Sequence, residues 1–339
     1  MGFERETFAV SGPKHLLHVN WNNVDHRRSV AASLVQAVYV LEIDRQAKRQ
    51  GRAEALAPPW WEFSQFRVTQ LLIDKMDSSI FGAIFELNTD PSFCRVTFPN
   101  APKYVIAFRG TLPRSSTVSQ DLKLDFQILR HKLEESSRYQ LATQAVKNTL
   151  SYAEAGNLWI AGHSLGSAIG MLVGKNIAKL GISIESYFFN PPFISAPLEK
   201  ISNEKVKHGI LFTHNVIKAG VAVAVKGPQN EHKDISFASL SSWLPMLFVN
   251  PSDHISSGYI GYFEHRDDIG GGSGIGKLGS QNSMGCLLLG GKDREPCHYV
   301  PSAYLVINKS VTPDLKHSHG LHQWWNTDFL FDYKCYQYR

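Results

Sequence analysis

The chain predicts an α/β fold, a central and mostly parallel sheet flanked by helices. Three observations carry this expectation. Short apolar runs recur at Tyr104–Phe108, Leu158–Ala161, Ser186–Asn190 and Met246–Val249, each of strand length and suited to a strand covered on both faces. Helical stretches precede or separate them, over 27–50, 119–150 and from Ser167 to about Leu180. Between the second run and its helix stands Gly162-His163-Ser164-Leu165-Gly166, a strand, a sharp turn and a helix with serine at the apex.

Each element follows from local chemistry. Val30, Leu34, Ala37, Val38 and Leu41 give the first helix an apolar face, and Pro58-Pro59-Trp60-Trp61 cannot continue it. Residues 80–87 and 93–98 read as an antiparallel pair around Asn88-Thr89-Asp90-Pro91. The helix after the pentapeptide stops near Gly181, and the strand ending at Asn190 is closed by Pro191-Pro192. Residues 193–245 read as an insertion between core strands that forms a cap or lid, with a plain packed helix or strand as the alternative. Its apolar run, 216–225, is too short to span a bilayer. The glycine-rich stretch 270–291 lacks the Gly-Lys-Ser/Thr ending of a phosphate loop and reads as a surface loop. No repeat and no clean linker divide the chain, so 1–339 is expected to be a single domain.

Composition narrows the partners. The 35 basic and 30 acidic residues leave a net charge of +5, spread along the chain rather than gathered into the basic stripe of a nucleic-acid binder. No run reaches the 18 or so apolar residues of an integral membrane segment. The opening Met1-Gly2-Phe3-Glu4-Arg5-Glu6 has no apolar leader region, so Cys94, Cys286, Cys297 and Cys335 are expected as free thiols in a reducing, cytoplasmic setting. The spacing of 286 and 297 gives no zinc pattern, and no cofactor or metal is expected. A homodimer is a reasonable prior, because two-fold dimers are common, although no residue argues for one.

The pentapeptide points to serine chemistry. Glycines two before and two after Ser164 keep Cβ atoms out of a crowded turn. A hydroxyl is a weak nucleophile near neutral pH, so Ser164 needs an adjacent base. His163 neighbours it in sequence but is expected to pack beside the turn. A later acid and then a histidine complete the expected order. Asp253, just past the strand 246–249, is the candidate acid, with Asp267 and Asp268 as rivals. The base candidates are His254, His265, His298, His317, His319 and His322. The segment Lys316–Trp325 is the best place for it. His319 is preferred there, with His322 and His317 left open. Arg109-Gly110-Thr111 follows an early strand, where the Thr111 amide can join that of Leu165 as an oxyanion hole. Asp121 and Asp125 read as structural, one of them either a partner for Arg109 or a tie for the oxyanion loop.

These motifs resemble the class 3 lipases of the α/β-hydrolase superfamily, and more specifically a plant group often labelled GDSL esterase/lipase. The resemblance rests on Phe108-Arg109-Gly110-Thr111, Asp121 and Asp125, Gly162–Gly166, Tyr187-Phe188-Phe189-Asn190-Pro191-Pro192 and His319-Gly320-Leu321-His322-Gln323-Trp324-Trp325, and spans roughly residues 25–330. It implies an α/β-hydrolase fold, Ser164 as nucleophile, Asp253 as acid, His319 as base (Trp324 follows five positions on) and Thr111 as the oxyanion residue. The family's acid loop continues Val-Pro-Arg, whereas His254-Ile255-Ser256 follows here, which shifts the expected pocket lining. The expected function is that of a serine carboxylic-ester hydrolase working through an acyl-enzyme on a small hydrophobic or aromatic ester. A lipid acyl hydrolase (acylglycerol, galactolipid or phospholipid) and a non-catalytic lipase-like interaction protein are the alternatives.

Overall fold

A computed structural model describes residues 6–16, 18–88, 100–112, 133–193, 240–265 and 300–338. Asp121, Asp125, Asp267, Asp268, His298, the stretches 93–98 and 270–291, and most of 193–245 lie outside the described residues.

The described strands form one eight-stranded sheet in sequential order. They are β1 (Phe66–Ile73), β2 (Ile80–Leu87), β3 (Tyr104–Phe108), β4 (Leu158–His163), β5 (Glu185–Phe189), β6 (Met246–Val249), β7 (Ala303–Asn308) and β8 (Phe331–Tyr336). Pairings from β3 through β7 are parallel, and those at the two edges are antiparallel. The longer described helices are α1 (Val24–Gln46), α2 (Ser137–Leu150), α3 (Leu165–Ala178) and α4 (Gly258–His265).

Sequential parallel strands joined by right-handed crossovers place their connecting helices on one face of a sheet. The packing agrees. Residues of α2, α3 and α4 share one core with Ile106, Phe108, Ile160, Phe188, Leu247, Leu305 and Ile307. The alternate strand residues Val105, Ala107, Trp159, Ala161, Tyr187, Phe189, Phe248 and Val306 face α1 in a second core, closed by Trp60, Trp324 and Trp325. The period of two along each strand assigns every side chain to its layer. It also puts His163, in step with Trp159 and Ala161, on the α1 side.

α1 begins where the Asn23 side chain accepts from the amides of Asp25 and His26, a helix N-cap. It ends at Gln46, about a turn before the expected end at residue 50, and Pro59–Glu62 forms a separate single turn. Among the described residues β2 pairs with β1 and β3, and its expected partner 93–98 lies outside them. The helix expected over 119–150 begins at Ser137, capped by the Ser136 hydroxyl, with 119–132 outside the described residues. Leu240 and Trp243, at the end of the expected insertion, are buried in the core, and the Trp243 indole donates to the Ile184 carbonyl. Three strands carried no expectation. β1 and β8 are edge strands with mixed, partly exposed residues, and an edge strand needs no continuous apolar run. β7 is as buried as its neighbours and is recognised by its pairing between β6 and β8. No helix among the described residues is long and apolar enough to cross a membrane.

Candidate active site

The turn between β4 and α3 is tight enough to force its own sequence. Ser164 has φ 55° and ψ −123°, a conformation that a residue with a side chain rarely adopts. Its amide donates to the Phe189 carbonyl at the end of β5, and the Ser167 hydroxyl donates to the same oxygen. A Cβ on Gly166 would lie 2.3 Å from the Phe108 carbonyl oxygen, and one on Gly162 would lie 2.6 Å from the Gly166 oxygen. Only bare backbone fits at both positions. The strain is held by neighbours on both sides, and the apex serine is presented above the ends of the parallel strands.

The residues singled out after Ser164 converge on it. The His319 Nε2 lies 3.0 Å from the Ser164 Oγ, and the His319 Nδ1 lies 2.9 Å from the Asp253 Oδ2. A carboxylate only accepts, so Nδ1 carries the hydrogen and donates to Asp253. The Nε2 lone pair then faces the serine hydroxyl, which donates to it. Asp253 is fully buried and accepts three further hydrogen bonds, from Asn190 Nδ2 (2.7 Å), Ser256 Oγ (2.6 Å) and the Ile255 amide (3.0 Å). Burial alone would raise its pKa. The charge and hydrogen bond of His319, with the bonds from Ser256 and Asn190, outweigh burial and hold it below the usual value. The carboxylate therefore stays ionised beside the imidazole.

The loop carrying His319 is fastened at three successive carbonyls. The Ser318 carbonyl accepts from Asn190 Nδ2 and Gln323 Nε2, the His319 carbonyl from His163 Nε2, and the Gly320 carbonyl from Gln323 Nε2. Gln323 is itself held by Asn250 and Asn308, whose side-chain amides both donate to its Oε1 at 2.8 Å. Trp324 donates its indole hydrogen to Asn190 Oδ1 at 2.7 Å, which fixes the orientation of that amide. Thus buried asparagines just past β5 and β6 and at the last position of β7 meet the histidine loop. This support escaped the sequence reading, although the repeated apolar-run-then-asparagine pattern at 190, 250 and 308 was its signal.

The remaining candidates sit elsewhere. His317 pairs with Asp314 at 2.7 Å on a half-exposed surface, and its ring meets that of His322 edge-on. His254 is exposed. Gly110 lies against the serine, since a Cβ on it would come within 2.9 Å of the Ser164 Cβ. Thr111 follows directly and is half-buried, and Leu165 opens α3, whose first amides have no partner within the helix. Among the described residues Arg109 donates to the carbonyls of Ile80 and Gly110, and burial lowers its pKa.

His163 is buried, and its pKa is lowered to about 3, chiefly by burial and then by the neighbouring His319 and, less, His322. The bond to the His319 carbonyl and the Asp253 charge oppose this only in part. An unfolded histidine binds its proton near 6.5, so between about 6.5 and about 3 the unfolded chain holds the extra proton. Stability should fall with pH through that window, by about 2 kcal/mol from this group between roughly pH 7 and pH 5. Urea midpoints of the wild type and His163→Gln across that range test it. The variant should show the shallower decline, and parallel curves would refute the assignment.

No protein-family model matches the chain. Over 99% of its own length and 99% of the relative's, the chain is 43% identical to a GDSL esterase/lipase of Arabidopsis thaliana. The chain belongs to this esterase/lipase family.

Proposed function

We propose that this family member is a serine carboxylic-ester hydrolase in which Ser164 is the nucleophile, His319 the base and Asp253 the residue that orients and stabilises His319. One observation carries the reading, the continuous line from Ser164 Oγ through the His319 ring to the Asp253 carboxylate, at 3.0 and 2.9 Å. Ester hydrolysis accords with the family. The parallel β3–β7 sheet, the strained serine turn and the chain order serine, acid, histidine support an α/β-hydrolase fold of the class 3 lipase type in a single domain.

In the reaction, Ser164 Oγ attacks the ester carbonyl carbon as its proton passes to His319 Nε2. Negative charge moves to the carbonyl oxygen, where the Thr111 and Leu165 amides stabilise it. The tetrahedral centre collapses, and His319 gives its proton to the departing alcohol. Water then attacks the acyl-enzyme, its proton goes to His319, and the free acid leaves as Ser164 recovers its hydrogen. Asp253 holds the Nδ1–H throughout and offsets the charge on the imidazolium. A small hydrophobic or aromatic ester is the preferred substrate, compatible with a chain rich in aromatic residues. The relative's name covers lipase as well as esterase, which makes long-chain acyl lipids the second class to test.

The test is acyl-enzyme chemistry. Intact protein is treated with a fluorophosphonate, the adduct is mapped by mass spectrometry, and S164A and H319A are compared. The adduct should sit on Ser164, vanish in S164A and form about a thousandfold more slowly in H319A. Folded wild-type protein that takes no label would favour the non-catalytic alternative. Labelling that persists in H319A would move the base to His322 or His317.

A further inference from the structure

We infer that Tyr39 and His163 are positioning residues, a one-way hydrogen-bonded line that ties the Gly110–Thr111 turn to the His319 loop across Ser164. The inference rests on His319 being the base. The line is continuous. The Gly110 amide lies 2.7 Å from the Tyr39 hydroxyl, that hydroxyl 2.7 Å from His163 Nδ1, and His163 Nε2 2.8 Å from the His319 carbonyl oxygen.

Its direction is set by chemistry. A carbonyl oxygen only accepts, so His163 Nε2 must carry the hydrogen. In the neutral ring Nδ1 is then an acceptor, and the Tyr39 O–H donates to it. That leaves the Tyr39 oxygen lone pairs for the Gly110 N–H. Both side chains are suited to remain neutral. Burial raises the Tyr39 phenol well above its ordinary value, with Arg109 and the Gly110 bond opposing, and burial lowers His163 as described above. Each atom of the line therefore keeps one role across the pH range of the reaction.

The line also joins parts of the chain that the sheet leaves apart. Gly110 follows β3, His163 ends β4, Tyr39 belongs to α1, and His319 lies beyond β7. The sheet fixes the strand ends, Asn190 and Gln323 fasten the loop after β7, and the Tyr39–His163 line adds the bonds that tie the turn after β3 to that loop. A displacement of about 1 Å between reacting groups can cost on the order of a hundredfold in rate. Gly110 is moulded to this contact, since a Cβ there would come within 2.7 Å of the Tyr39 hydroxyl. The His163 and His319 rings also pack 4.9 Å apart, so the imidazole next to the nucleophile in sequence steadies the base from behind.

Tyr39→Phe removes one oxygen and both of its bonds. Tyr333→Phe is the control, because that hydroxyl bonds Asp25 and Arg28 of the same helix α1, away from Ser164. With a soluble aryl ester, well below each unfolding midpoint, Y39F should lower kcat about tenfold to a hundredfold with KM within about twofold. Y333F should leave kcat within about twofold. His163→Leu should act like Y39F, and the double variant should be no slower than the slower single one, as for members of one line. A wild-type kcat in folded Y39F, or losses that multiply in the double variant, would overturn the inference. If H163L does not fold, the comparison of Y39F with Y333F decides alone. Failure of the underlying reading looks different, because H319A would then label at the wild-type rate whatever Y39F does.

Discussion

Asp253→Asn should lower kcat by about ten-thousandfold while the protein stays folded. The carboxylate accepts from four donors, His319 Nδ1, Asn190 Nδ2, Ser256 Oγ and the Ile255 amide. An amide of the same shape offers one acceptor oxygen and a donor NH2. If its oxygen takes the Oδ2 place, the NH2 faces the Ile255 amide. If it is turned over, the NH2 faces Asn190, Ser256 and His319. In that second arrangement His319 is pushed to the other tautomer, with a hydrogen rather than a lone pair toward Ser164. Either way the imidazolium formed during attack loses its counter-charge. Turnover of an aryl ester by D253N, alongside its circular dichroism and unfolding midpoint, gives the measurement. A folded D253N within about tenfold of wild type would remove Asp253 from the mechanism. Loss of folding would point instead to the hydrogen-bonded knot around Asn190, and Asn190→Ala would then share the defect.

Gly166→Ala should remove at least about 3 kcal/mol of stability, a large effect for one methyl group. The added carbon would lie 2.3 Å from the Phe108 oxygen and 2.7 Å from the Arg109 oxygen, both backbone atoms of β3 and its extension. No rotamer change relieves a clash with a strand in the middle of a sheet. The first turn of α3 must back away, carrying the Leu165 amide and the strained Ser164 with it. Activity should therefore fall even in the fraction that folds. Urea unfolding of G166A beside wild type tests the first part, and fluorophosphonate labelling of the folded fraction tests the second. A variant within about 1 kcal/mol of wild type would mean that β3 and α3 are not locked together as described.

The parts of the site that were legible are those whose chemistry is local. Gly162, Ser164 and Gly166 announce a strained turn because no other residues tolerate that spacing between strand and helix. The apolar runs at 104–108, 186–190 and 246–249 show as strands because burial on both faces demands continuous apolar sequence. Edge strands β1 and β8 face that demand on one side at most, and their mixed residues hid them. Asp253 and His319 were preferred from order and surroundings, with rivals left open, since a histidine among six candidates has no local mark of its role.

What the amino-acid sequence determined by itself was the α/β fold class, the serine turn and the segments that carry Asp253 and His319. Only the tertiary structure decided the partners. It brought residues 155 and 66 positions from His319 into contact with its two ring nitrogens. It turned three asparagines at strand ends toward one loop, and it placed Tyr39 of α1 against the His163 ring. The physical reason lies in range. Backbone strain and strand burial act over a few residues and leave a pattern in the chain. A hydrogen bond between distant segments depends on where the packed sheet and helices deliver each donor and acceptor, and no single segment records that position.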